Sequence, residues 1–213
     1  MNSRYGDLNA RSFPAYAREL AAQFPEIDGI LASCGLPKFW SRQANIETLF
    51  RIILEQQVSL AAARTLFKRV SHSIGGMTAH RVYQAGPDTL RSLGISRQKS
   101  RYCYELARAV VERRLSIAGL SRMSDEEAIE KLCVQPGIGP WSASIYLISA
   151  LKRIDVWAPG DLALQRGIED LFPAKDTKAL VEDGARWRPW RAVAARLVWH
   201  HYLSNMTTRK TPS

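Results

Sequence analysis

Cysteine is scarce in these 213 residues: only Cys34, Cys103 and Cys133 occur, and no two of them form a Cys-x-x-Cys pair. That dispersion excludes a zinc knuckle, a dithiol redox pair and a four-cysteine iron–sulfur cluster, and it predicts free thiols in a reducing compartment. His72, His80, His200 and His201 lack ligand spacing, because adjacent His200 and His201 face different directions on a helix, so no catalytic metal is expected. Acidic residues are outnumbered, 20 against 30 Lys and Arg, and the resulting +10 charge favours a polyanionic partner. No stretch alternates apolar and polar residues with period two, so a β-sheet is not expected. The opening "MNSRYGDLNARSFPAY" has no apolar core of signal-peptide length, which predicts cytoplasm in a prokaryote or nucleus in a eukaryote. One uncharged run, Leu132 to Leu151, is long enough for a membrane span. Pro136, Gly137, Gly139 and Pro140 break it near its front and would leave backbone groups unpaired in lipid, so no membrane partner is expected.

What is present is helical periodicity. Ile46, Leu49, Phe50, Ile53, Leu54 and Gln57 recur at i, i+3, i+4 and i+7, as do Ala63, Leu66, Phe67 and Val70, and later Val193, Ala194, Leu197, Val198 and His201. Breaks fall at "SIGGMT", "QAGPDT", "SLGIS" and "APGD", each supplied with Gly, Pro or Asp. The predicted fold is all-α.

The interrupted run then reads as two short helices and a tight corner. Ser124 and Glu127 form a capping box, and Asp125 to Glu127 place negative charge in the first turn, so a helix is predicted from about Asp125 to Val134. Pro136 stops it, and Pro140 suits the first position of a second helix. Gly137 and Gly139 permit positive φ and carry no Cβ, which lets an anion approach amides at that helix start. A plain turn between two helices is the alternative reading. Asp161, after "APG", likewise has two readings, as the N-cap of "LALQRGIEDLF" or as a catalytic carboxylate.

"LCVQPGIGPWSAS" resembles the helix-hairpin-helix signature of the HhH-GPD DNA glycosylase superfamily, whose Gly/Pro-rich loop ending in Asp is matched by "VWAPGD" at Asp161. "ILEQQVSLAAA" is similar to that superfamily's DNA-probing helix, and "RWRPWRAVAARLVW" to the signature of its 3-methyladenine DNA glycosylase II branch. The resemblance runs from about Asn45 to Tyr202 and implies two helical lobes with a cleft between them, in a compact form lacking the N-terminal β-rich domain of larger relatives. It further implies DNA binding by Gln56, Gln57, Gly137, Ile138 and Gly139, a base pocket with Trp141 and Trp199, and catalysis by Asp161. Trp40, Trp157, Trp187 and Trp190 are read as mainly structural. The family's hairpins can hold a monovalent cation on backbone carbonyls, here of Cys133, Gln135 and Gly137; no other cofactor is implied.

Two departures bear on substrate. Gln57 stands where relatives carry an apolar wedge, and Ile145 where some carry an aromatic ring. Bifunctional members place a Lys after the hairpin as Schiff-base nucleophile, but Trp141 occupies that position and has no amine. The expected protein is therefore a monomeric, monofunctional glycosylase that takes alkylated purines of the 3-methyladenine type from double-stranded DNA and leaves an abasic site. The alternatives are a non-catalytic DNA-binding module, or a glycosylase for hypoxanthine, ethenoadenine or 1-methyladenine. The expected organisation is a helical segment 1–44 packing with the C-terminal lobe, a lobe 45–140 with the probing helix and hairpin, and a lobe 141–213 with the catalytic loop.

Overall fold

The computed structural model describes residues 8–173 and 177–209. Among these there is no strand, and eleven α-helices follow one another along the chain. They divide into two units, one of residues 42–151 and one in which residues 1–41 join residues 152–213.

The 42–151 unit holds α3 (Ile46–Glu55), α4 (Leu60–Ser73), α5 (Ala79–Ser92), α6 (Arg97–Val111), α7 (Asp125–Cys133) and α8 (Pro140–Tyr146). Five of these begin on a side-chain cap written in the sequence: Asn45, Ser59, Thr78, Ser96 and Ser124 each accept the N–H three residues on, which stabilises each start by about 1 kcal/mol. The "QAGPDT" break appears as a kink inside α5, where Gly86 takes φ 72° and Pro87 restarts the helix. Phe50, Ile53 and Leu54 of α3 are fully buried against α4, α6 and α8, worth roughly 1.5–3 kcal/mol for each large side chain. After Tyr146 the chain widens into a π turn, Leu147–Leu151. The Arg42 N–H donates to the Ser149 carbonyl at 2.9 Å, tying the start of this unit to its end.

The second unit holds α1 (Phe13–Gln23), α2 (Pro25–Cys34), α9 (Leu162–Leu171), α10 (Lys178–Asp183) and α11 (Arg191–Arg209). The latter packs on α1, α2 and α9, so the N-terminal segment shares a core with the C-terminal helices. Gly167 lets α9 approach α11 closely, since a Cβ there would lie 2.6 Å from Val198 Cγ1. The division differs from the expected one at both joints. Residues 42–44 belong with α3, and α8 belongs with α7 and α3, on which it packs, so the second joint falls after Leu151 and not after Pro140.

Candidate functional site

The hairpin lies wholly in the 42–151 unit. Its capping box is formed as the spacing predicts: the Glu127 N–H donates to Ser124 Oγ at 3.1 Å, and the Ser124 N–H to Glu127 Oε2 at 2.8 Å. After Pro136 the turn closes with the Ile138 N–H donating to the Gln135 carbonyl at 3.1 Å. The two glycines do different work. Gly137 has φ 83°, and a Cβ there would sit 2.2 Å from the Tyr102 ring, so conformation and packing both demand glycine. Gly139, where positive φ was permitted, instead has φ −96° and ψ −179°, open to any residue. A Cβ on Gly139 meets nothing within 4 Å. The protein's own packing therefore does not require its bareness, which fits a close approach from outside. The Ile138 side chain, expected to face DNA, is buried at 4% exposure and its N–H is already bonded, so it anchors the turn.

Gln56 also differs from expectation. Rather than probing outward, its Nε2 donates to the Gly137 carbonyl at 2.9 Å and to Ser142 Oγ at 3.0 Å, bracing the end of α3 against the hairpin. Gln57 follows in a left-handed conformation, φ 56°, with its side chain exposed. Sequence reasoning missed Lys99, whose Nζ donates to the carbonyls of Leu54 and Gln56 at 2.9 and 2.6 Å and holds the turn that presents Gln57. Burial pushes the Lys99 pKa down, against a smaller upward pull from Cys103. Gln56, Gln57, Lys99 and Tyr102 line a cavity of about 470 Å³ together with the hairpin. Of the three carbonyls expected to face a cation, those of Gln135 and Gly137 already accept N–H groups from Ile138 and Gln56, so an ion would have to share both. Among the described residues no group of three or more His, Cys, Asp or Glu side chains could hold a metal. Trp141, half-buried, opens α8 in this unit.

The carboxylate lies in the other unit. Gly160, φ 71°, turns the loop so that Asp161 heads α9, and its Oδ1 accepts N–H groups from Ala163 at 3.0 Å and Leu164 at 2.9 Å. The indole N–H of Trp199, one face of α11, donates to the same oxygen at 3.0 Å. Three donors converging on one oxygen fix the carboxylate's orientation. Asp161 is thus a helix cap and a positioned anion at once. The "RWRPWR" signature holds the loop that leads to it. Arg191 binds Asp155 through its Nε at 2.9 Å and its backbone N–H at 3.2 Å, Arg186 pairs with the nearly buried Glu26 at 2.7 Å, and Trp187 and Trp190 are buried. Trp157 is buried too, its indole N–H donating to the Val181 carbonyl at 2.9 Å. Trp40 departs from the structural role expected of it: it is 41% exposed and leans on Trp199, with ring centroids 5.9 Å apart.

The family described as HhH-GPD superfamily base excision DNA repair protein matches residues 50–191. DNA-3-methyladenine glycosylase 2 of Escherichia coli is 29% identical over 161 residues, which are 70% of this chain and 55% of that protein. DNA-3-methyladenine glycosylase 1 of Schizosaccharomyces pombe is 30% identical over 166 residues, 72% of this chain and 70% of that one. A solved DNA-3-methyladenine glycosidase from Bacillus halodurans superposes with a TM-score of 0.80 at 27% identity, covering 96% of this chain and 94% of that one. The chain spans about half the length of several of the curated relatives it matches.

Proposed function

The chain belongs to the HhH-GPD superfamily of base excision DNA repair proteins, and from that premise we propose that it is a monofunctional DNA glycosylase for alkylated purines, acting as a monomer on double-stranded DNA. The observation that carries the proposal is the Asp161 carboxylate, held on its loop by two backbone N–H groups and the Trp199 indole.

Each part has a task that its chemistry suits. The hairpin takes a backbone phosphate at the open side of Gly139, where no side chain intervenes, and the +10 charge draws in the duplex. Gln57, exposed on its braced turn, probes the stack, and the damaged nucleotide leaves the helix. As the N-glycosidic bond breaks, the deoxyribose gains oxocarbenium character and the bonding electrons leave with the purine. The Asp161 anion stabilises that cation and orients the water that adds to C1′ and loses a proton. A purine already carrying an alkyl group and a positive charge departs without a general acid, and the indole faces of Trp141 and Trp199 attract it by stacking and cation–π interaction. Because Trp141 offers no amine, no Schiff base forms and the product is an intact abasic strand. A monovalent ion at the hairpin would only brace the loop there; the hydrolysis itself draws on water and Asp161.

Incubation with methylated genomic DNA, followed by chromatography of the released bases, tests this directly. Release of 3-methyladenine or 7-methylguanine is the expected result. Retention of every base by a protein that still binds the duplex would refute hydrolysis and leave a DNA-binding module.

A further inference from the structure

We infer that Trp40 is a second stacking wall for the flipped purine, one that grips by ring area and is indifferent to the base's charge. The inference rests on the glycosylase reading above and adds a specificity-determining residue to it. A tryptophan at 41% exposure is unusual in a folded chain, and looseness does not explain this one. Phe39, the preceding residue, leans on buried Phe13 with ring centroids 5.6 Å apart. The guanidinium of Arg196, 2% exposed, lies 4.5 Å from the ring centroids of both Phe39 and Trp40, and its Nη1 donates to the Trp40 carbonyl at 2.8 Å. Trp40 is therefore anchored through the backbone, through one ring face and through its neighbour, while much of its surface stays open.

Its location gives that open surface a use. Trp40 tilts at 49° against Trp199, which in turn donates to Asp161 Oδ1. Two contacts thus link Trp40 to Asp161, and on the proposed chemistry a base whose sugar reaches Asp161 would meet both indoles. A pre-placed ring binds at small entropic cost, since nothing must be ordered when the base arrives. The Arg196 charge on one face draws the ring's electrons toward itself, so Trp40 offers a cationic base little extra attraction beyond flat contact. Neutral purine lesions such as hypoxanthine should benefit from Trp40 as much as 7-methylguanine does.

The test is a binding titration of the full-length protein with three duplexes, containing 7-methylguanine, hypoxanthine or no lesion. The lesion nucleotides carry a 2′-fluoro group that resists hydrolysis. Wild type should prefer both lesions to undamaged DNA. Trp40→Leu should weaken both lesion complexes by about tenfold and leave the undamaged complex unchanged while the chain stays folded, and Trp40→Phe should recover most of the loss. An equal loss on all three duplexes, a loss confined to 7-methylguanine, or no loss at all would overturn the inference. Base release from unfluorinated duplexes is scored separately: a wild type that shows the lesion preference but frees no base refutes the hydrolase and leaves Trp40's role standing.

Discussion

Replacing Asp161 by Asn separates its observed duty as a helix cap from its proposed one as the catalytic anion. Asn has the same shape and is as good an N-cap as Asp, so its Oδ1 can still accept from Ala163, Leu164 and Trp199. What changes is charge assistance in those bonds, a stability loss of about 1 kcal/mol, which lowers the melting temperature of a chain this size by ~2–4 °C. The transition state loses far more. Opposite unit charges ~4 Å apart at an effective dielectric of about 20 attract by ~4 kcal/mol, and at 1.36 kcal/mol per decade this is roughly a thousandfold in rate. Single-turnover release of 7-methylguanine from a defined duplex measures the rate, and differential scanning fluorimetry measures the stability. Asp161→Ala serves as the contrast, because it strips all three donors of their acceptor and should fall in both assays. A thousandfold loss in Asn with a small melting shift is the expected pattern. A rate within tenfold of wild type would make Asp161 a helix cap and nothing more, and the reasoning about oxocarbenium stabilisation would fail with it.

Gly139→Glu places a carboxylate in space that the protein leaves open, so the fold should persist while DNA affinity drops, and the log–log salt dependence should flatten by about 0.9 for one lost phosphate contact; an unchanged slope would remove the hairpin from the interface. With Trp141 at the nucleophile position, borohydride should trap no protein–DNA adduct, and strands should break only after alkali; an adduct on a denaturing gel would contradict hydrolysis by water. Burial lowers the His201 pKa from 6.5, His200 lowers it further and Asp170 partly offsets both. The unfolded chain therefore takes up this proton first as pH falls below 6.5, so the stability that neutral His201 supplies is present above that pH and lost as pH falls through the folded pKa. The melting temperature should decline from pH 7 to pH 5 more steeply in wild type than in His201→Gln, and parallel curves would assign the acid sensitivity elsewhere.

Local signals were legible in the sequence and distant ones were not. The capping box at Ser124, the stop at Pro136 and the cap at Asp161 depend on residues close together in the chain, and all three formed as the spacing indicated. Gln56 gave no hint of its role because its partners lie 81 and 86 residues on, and an amide side chain looks alike as probe or as brace. Gly139 was legible for its missing Cβ, while the positive φ also offered for it belongs to Gly137 alone, since sequence cannot tell a glycine chosen for φ from one chosen for bareness. Trp40 sits in a segment with no helical period, and its exposure and its contacts with Arg196 and Trp199, more than 150 residues on, distinguish it from a core tryptophan. The joint after Leu151 was misplaced because the break at Pro140 marks a turn inside one unit rather than an edge between two.

The brace at Gln56 has a mechanical meaning. Its side chain grips the hairpin at Gly137 while its own carbonyl is gripped by Lys99, and Gln57 is the next residue along. If the hairpin rides the DNA phosphates as proposed, Gln57 would behave like a stylus bolted to its carriage: its depth would follow the backbone track, and a soft, poorly stacked step would yield to it where a sound one pushes back.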